Sequence, residues 1–147
     1  MDDSLHYLIM ANQMLVQKAL LYKLKDTGLT IGQPKILDYL SRHNGSNQKE
    51  IAKACFLEAG SLTTILNKME EKGLIMRKQD PTDRRVWRVY PTQKMQELLP
   101  HVRLVMREWN EYLLEEFSEE EQEKLVVALE KLMQRAQTAA QESLKGR

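Results

Sequence analysis

The apolar residues of this sequence recur mostly at steps of three and four, which is typical of amphipathic helices. The first such run predicts a helix over residues 4–26, and Gly28 ends it because glycine adopts the left-handed cap conformation without steric cost. The later runs follow turn residues and candidate capping boxes. They predict five further helices, which begin near Thr30, Asn47, Leu57, Thr92 and Ser118.

The period of the apolar pattern changes to two after Leu74, which indicates β-strands. Residues 75–78 and 86–90 predict two short strands, and the polar stretch 79–85 predicts the loop of one β-hairpin. Two short helices joined by a tight turn, followed by a hairpin, are the layout of a winged helix-turn-helix. The predicted fold is therefore mainly α-helical with a small β-hairpin wing.

The charge of the chain is unevenly distributed, although the net charge is only +1. Residues 76–88 carry five basic and two acidic side chains, whereas residues 108–123 carry eight glutamates and no lysine or arginine. The first segment is suited to contact phosphate and the second is suited to avoid it. Any affinity for nucleic acid must therefore come from the hairpin region and its neighbours.

The fourth predicted helix has an apolar stripe and an opposite polar face. Leucine, isoleucine and methionine occupy its inward positions 62, 65, 66 and 69. The outward side chains are small, hydroxylated, amide or cationic, and such groups can bond base edges or phosphates in a major groove. We predict DNA contacts for Gly60, Ser61, Thr63, Thr64, Asn67 and Lys68. The alternative is that this face is only the solvated side of a surface helix.

The predicted hairpin loop carries two adjacent arginines, Arg84 and Arg85, which can reach a minor groove while the helix occupies the neighbouring major groove. Asp83 can pair with Arg85 and hold its guanidinium group in place. A surface ion pair contributes only about 0–1 kcal/mol to stability, so we interpret the pair as a positioning device. Arg77 and Lys78, on the first strand, are predicted contacts to the DNA backbone.

Several classes of protein lack support in the sequence. Metal-ligand spacing, phosphate-binding glycine motifs and hydrolase motifs are missing, so we predict no enzyme, no metal and no cofactor. The apolar runs are too short for a membrane span, and the single cysteine fits a reducing compartment, so we predict a soluble, cytoplasmic protein. Cys55 lies on an inward stripe and is predicted to be a buried structural residue.

The stretch LEAGSLTTILNKMEEKGLIMR, followed by DPTDRRVWRVYPTQK, resembles the recognition helix and wing of MarR-type regulators. The segment FSEEEQEKLVVALEKL resembles the final helix of that family. The resemblance implies a homodimer that binds a pseudo-palindromic operator on double-stranded DNA, and small aromatic or phenolic effectors that alter the spacing of the two recognition helices. The family often has glycine where Phe56 stands, and it usually has serine at Gly60 and arginine or a similar polar residue at Thr64, so operator sequence and turn geometry do not carry over.

An apolar surface larger than one wing can cover supports a dimer independently. Residues 5–24 and a set of bulky side chains in the last two helices would remain exposed on a single chain, although packing within one monomer is the alternative. That set is Met106, Trp109, Tyr112, Leu113 and Phe117.

We therefore predict three parts, with dimerisation helices over 1–29 and 92–147 forming a bundle and a DNA-binding winged helix-turn-helix over 30–91. The predicted function is a sequence-specific transcriptional regulator that acts as a repressor and is released by a small-molecule effector. The alternative function is a helical protein-interaction module that has lost DNA binding.

Overall fold

The computed structural model describes residues 4–146, and within them the chain forms two compact units that divide between Arg107 and Glu108. Helices dominate, with one short 3₁₀ helix, Lys25–Thr27, after the first. The α-helices are α1 Leu5–Lys23, α2 Gln33–Arg42, α3 Gln48–Cys55, α4 Ala59–Glu71, α5 Gln93–Leu113 and α6 Glu119–Lys145. The strands are β1 Ser46–Asn47, β2 Ile75–Gln79 and β3 Trp87–Pro91. None of the helices in this part of the chain is long and apolar enough to cross a membrane.

The first connection of the chain differs in detail from its prediction. Helix α1 ends at Lys23, three residues early, and Gly28 closes the following 3₁₀ helix in the left-handed conformation. Helix α2 begins at Gln33, capped by Gly32 with a φ of 86°, instead of beginning near Thr30. A Cβ atom at Gly32 would lie 2.8 Å from Ile65 Cδ1, so glycine is required both by the backbone and by the approach of α4.

The sheet has three antiparallel strands in the order β1-β3-β2, one strand more than the predicted hairpin. Strand β1 has only two residues, which pair with Val89 and Arg88 of β3. Such a short strand produces no recognisable alternation in sequence, which explains why the pattern missed it. The third strand makes the wing more than an isolated hairpin, a structure that is marginally stable in water.

Residues next to α3 determine where this helix begins and ends. Asn47 and Glu50 form the predicted capping box at the start of α3, with Asn47 Oδ1 accepting from the Glu50 amide at 2.8 Å. Helix α3 ends at Cys55, and the next residue, Phe56, caps it with a φ of 54°. This left-handed conformation disfavours most residues other than glycine, and it accounts for the glycine that MarR-type sequences often have here.

One apolar core lies in the first unit and is shared by the helices and the sheet. Ile36, Leu37 and Leu40 of α2 meet Leu66 of α4 and Val89 of β3, all fully buried. Cys55 is also buried, as predicted, and burial raises the pKa of its thiol. Because a thiol with a raised pKa forms little thiolate, Cys55 serves packing.

The second unit contains the end of α5 and all of α6. Ser118 and Glu121 form the predicted capping box, and the Gln122 amide donates to the Phe117 carbonyl oxygen at 3.1 Å. Trp109 and Tyr112 stack with their ring centroids 5.5 Å apart. Helix α6 buries none of its side chains fully. Its large exposed apolar residues are Val126, Val127, Leu129, Met133 and Leu144.

Candidate nucleic-acid interface

Helix α4 separates its two faces as the sequence predicts. Leu62, Leu66 and Met69 are buried, and Ile65 is half-buried against the same core. The predicted DNA-contacting residues of this helix are all exposed, namely Gly60, Ser61, Thr63, Thr64, Asn67 and Lys68. Burial of the apolar stripe therefore fixes which polar side chains the helix presents to solvent.

The threonine hydroxyls on the exposed face have defined orientations. Thr63 Oγ1 donates to the Ala59 carbonyl oxygen at 3.0 Å, and Thr64 Oγ1 donates to the Gly60 carbonyl oxygen at 3.3 Å. The Gln48 amide donates to Thr63 Oγ1 at 3.4 Å. With their protons used within the helix, both hydroxyls present acceptor lone pairs to solvent.

Gly60 is not required by the packing of the chain. A Cβ atom built there would meet no other atom within 4 Å. Glycine inside a helix lowers stability by roughly 0.5–1 kcal/mol relative to alanine. Its presence in the first turn of α4 therefore leaves room for an external surface to approach the backbone closely.

The carboxyl end of α4 is held by contacts from distant segments. Lys72 Nζ donates to the Gly28 carbonyl oxygen at 2.6 Å and to Gln33 Oε1 at 3.0 Å, and Lys94 Nζ donates to the Lys72 carbonyl oxygen at 2.6 Å. Thr92 Oγ1 lies 2.6 Å from the Gly73 carbonyl oxygen, to which it donates. Burial, with a smaller contribution from Lys68, lowers the pKa of Lys72. The loop before α2 and the start of α5 thus set the position of the exposed helix.

Asn67 on α4 is bonded to Arg77 on β2. Arg77 Nη2 donates to Asn67 Oδ1 at 2.6 Å, and Arg77 Nε donates to Glu70 Oε2 at 2.6 Å. The side chain of Arg77 is only 20% exposed, whereas Lys78 beside it is exposed and lies over the Tyr90 ring. The helix and the wing are thereby joined through one guanidinium group.

The wing is stapled at its base by Asp80. Asp80 Oδ1 accepts from the Thr82 amide at 2.8 Å and from Thr82 Oγ1 at 2.6 Å, and Oδ2 accepts from Arg88 Nε at 2.6 Å. Arg88 Nη1 also donates to the Gly45 carbonyl oxygen at 2.9 Å. The hydrogen bonds from Thr82, then that from Arg88, hold the pKa of Asp80 well below its usual range, and Asp80 raises the pKa of Arg88.

The wing loop presents Arg84 and Arg85 to solvent, as predicted from the sequence. Arg85 pairs with Asp83 through two bonds of 3.1 Å, Nε to Oδ1 and Nη2 to Oδ2, while its side chain stays 90% exposed. The side-chain and backbone bonds from Arg85 lower the pKa of Asp83. The pair therefore orients the guanidinium group of Arg85 without burying it.

The hydrogen bonds of the Asp80 staple predict how the stability of the fold changes at acidic pH. The folded protein binds the Asp80 proton more weakly than the unfolded chain, so the ionised carboxylate stabilises the fold above about pH 3.8, and this contribution is lost as the pH falls below that value. We expect Asp80→Asn to lower the Tm at pH 7, and the difference from wild type to shrink below pH 4. Thermal unfolding by circular dichroism across pH 2.5–8 measures this, with Glu71→Gln as an exposed control. A constant difference at all pH values would contradict the staple.

Sequence reasoning missed four side chains that build this interface: Gln48, Glu70, Lys72 and Asp80 in its stapling role. Each forms a hydrogen bond with a residue at least seven positions away in the sequence, so no spacing rule reveals the contact. The charge pattern hinted only at Asp80, as an acidic residue within a basic segment. Across residues 4–146, no group of His, Cys, Asp or Glu side chains is arranged to hold a metal ion.

Known proteins share this arrangement. Residues 29–87 match the model of the MarR family. A MarR transcriptional regulator from Methanosarcina mazei Go1 is similar at 26% identity, over 91% of this chain and 94% of that chain, with a TM-score of 0.76. The S. aureus MepR–DNA complex is similar at 26% identity, over 91% of this chain and 99% of that chain, with a TM-score of 0.86.

A third solved structure, the repressor CouR bound to a 23-mer DNA duplex, shares the fold at 24% identity over 89% and 93% of the two chains, with a TM-score of 0.82. The proteins in these matches are transcriptional regulators and not enzymes. The matched segment contains α2, α3, α4 and the wing loop described above. Residues 29–87 therefore match the MarR family, and the chain has the winged helix-turn-helix fold of the MarR transcriptional regulators that it resembles.

Proposed function

We propose that this protein binds double-stranded DNA as a homodimer, with α4 in the major groove and the wing loop in the adjacent minor groove of each half of a pseudo-palindromic operator. The observation that carries the proposal is that one unit presents both the polar face of α4 and the anchored Arg85. A protein-only interface gives no reason for two exposed arginines beside a helix face of threonine, asparagine and lysine. MepR and CouR, which are seen with DNA, support the proposal by similarity.

The roles we assign follow from exposure and chemistry. Thr63, Thr64 and Asn67 contact base edges, and Gly60 and Ser61 face the backbone where α4 enters the groove. Lys68 and Lys78 contact phosphates, and Arg84 and Arg85 enter the minor groove with Asp83 as the support of Arg85. The phosphate role that the sequence predicts for Arg77 is less favourable, because its guanidinium group is already engaged by Glu70 and Asn67.

A second copy of the chain is the partner that suits the exposed apolar surfaces. Helix α1 exposes Leu5, Leu8 and Leu15, and α6 exposes Leu129 and Met133. Large apolar side chains that are exposed together on a helix are typical of a surface that a partner covers. A homodimer covers them, and its two-fold symmetry matches an operator with two half-sites about 10–10.5 base pairs apart, or a multiple of that spacing.

Regulation by a small aromatic or phenolic effector, and repression in the cytoplasm, complete the proposal. A groove of about 520 Å³ in the first unit has apolar walls that can contact an aromatic ring and polar groups that can bond a hydroxyl. It is lined by Met10, Gln13, Met14, Gln17, Lys18, Leu21 and Ile31. Release of bound DNA on adding such compounds checks this part. The rival function, a protein-interaction module without DNA binding, has no comparable support.

Salt dependence tests the proposed function directly. About six to ten phosphate contacts per dimer lower the affinity by about 10³–10⁵-fold between 50 and 200 mM salt, because neutralised phosphates release counterions. We expect a steep linear fall of log affinity with log salt, measured by fluorescence anisotropy on DNA selected from a random library. A flat plot, or no enrichment of any sequence, would overturn the proposal.

A further inference from the structure

We propose that Arg77 orients the amide of Asn67 so that Asn67 recognises guanine and not adenine in each operator half-site. The inference rests on the proposed DNA binding and adds the identity of one base. It makes Arg77 a positioning residue that acts through Asn67 instead of a contact to the DNA backbone.

The first step is the orientation of the amide. A guanidinium group carries only hydrogen-bond donors, so the atom of Asn67 that lies 2.6 Å from Arg77 Nη2 must be the carbonyl oxygen Oδ1. The amide nitrogen Nδ2, with two N–H groups, then occupies the other side of the side chain. Since Asn67 is exposed on the outer face of α4, this nitrogen is the group available to a partner.

The second step is the rigidity of that orientation. Arg77 extends from β2, its side chain is four-fifths buried, and its Nε bonds Glu70 Oε2 at 2.6 Å. Glu70 stands one turn after Asn67 on α4, so the guanidinium group is held at two points on the same helix. Turning the amide over would place Nδ2 against a cation, which has no acceptor to offer.

The third step is the chemistry of the base edges. Asparagine recognises adenine by accepting from N6 and donating to N7, which needs both ends of the amide. Guanine presents two acceptors, N7 and O6, in the major groove. The bond from Arg77 uses one of the two lone pairs of the amide oxygen and directs this oxygen toward β2, so the two N–H groups are the atoms left to face a base. Two donors match the two acceptors of guanine.

The charge of Arg77 argues against the simpler role of phosphate contact. Glu70 neutralises it at hydrogen-bonding distance, and its side chain is mostly buried. Lys78, the next residue on β2, is exposed and carries no such partner carboxylate among the ion pairs of the described chain. Lys78 therefore serves as the matched control for a phosphate contact.

The test is selection of bound sequences from a random DNA library with wild type and with Asn67→Ala, Arg77→Met and Lys78→Met. We expect wild type to enrich guanine at one position of each half-site. Asn67→Ala and Arg77→Met should both lose that preference and leave the other positions intact, whereas Lys78→Met should weaken binding evenly on all sequences. Circular dichroism verifies that each variant is folded.

A measurement on wild-type protein needs no variant. Replacing that guanine with 7-deazaguanine removes the N7 acceptor and should lower the affinity about 10-fold or more. Enrichment of adenine at the position that Asn67→Ala affects, or full binding to the 7-deazaguanine operator, would overturn the inference. So would an even loss on all sequences by Arg77→Met. The proposed function would fail differently, by wild type enriching no sequence at all.

Discussion

Replacing Arg85 with alanine is expected to weaken operator binding by about 100-fold or more and to leave the Tm unchanged. A hydrogen bond to a charged group contributes about 1.5–3 kcal/mol, and a dimer loses one such contact at each of two distant wings, so the losses add. The ion pair with Asp83 is on the surface and contributes little to folding. Fluorescence anisotropy on the selected operator measures the affinity, and thermal unfolding measures stability.

Two further variants make this experiment specific. Lys25→Gln removes one positive charge from an exposed position outside the interface and should bind as wild type does. Asp83→Asn keeps an oxygen that can accept from the Arg85 amide but loses the charge that holds the guanidinium group, so an intermediate loss is expected. Unchanged binding by Arg85→Ala would remove the wing from the mechanism.

Placing a carboxylate at Leu129 is expected to separate the proposed homodimer. The side chain of Leu129 is 53% exposed on α6, so Leu129→Asp removes little packing from a single chain. In a symmetric dimer it introduces two buried carboxylates, and the desolvation penalty is several kcal/mol for each ion. We expect the dimer dissociation constant to rise at least about 1000-fold, measured by sedimentation, and operator binding to fall with it.

The control for this variant is Gln134→Glu. This position lies about 140° around α6 from Leu129, given 100° per residue, and the change adds the same negative charge away from Leu129 and Met133. Gln134→Glu should remain dimeric and bind DNA. If Leu129→Asp also stays dimeric at micromolar concentration, α6 is not the dimer contact and the exposed apolar side chains need another partner.

Most of the fold could be predicted from local signals. The six helices, the capping boxes at Asn47 and Ser118, and both strands of the hairpin appear where the pattern places them, within a few residues. The predicted start of α2 was wrong, because Gly32 and not Thr30 caps the helix. The close approach of Ile65 from α4 requires glycine at this position, and the sequence alone does not show that approach. Strand β1 was missed because its hydrogen bonds come from β3, more than 40 residues away.

The exposed residues of the interface were also predictable, because burying one stripe of a helix determines what the other face shows. The same holds for Arg84 and Arg85, which a polar loop of this composition places at the surface. Their contacts with DNA remain predictions. The sequence predicted a phosphate contact for Arg77 and missed its ion pair with Glu70. The spacing of residues 70 and 77 does not indicate that strand β2 passes beside this part of α4.

The sequence by itself determined the helices, their faces, the pairing of Asp83 with Arg85 and the resemblance to the MarR family, because these depend on groups within about four residues of one another or on a recognisable motif. Only the tertiary structure decided how the interface is held. Lys72 reaches Gly28 across 44 residues, Arg88 reaches Gly45 across 43, and Arg77 reaches Asn67 across 10. Such contacts form only after the apolar core has brought helices and strands together, so their partners are set by packing and not by sequence spacing.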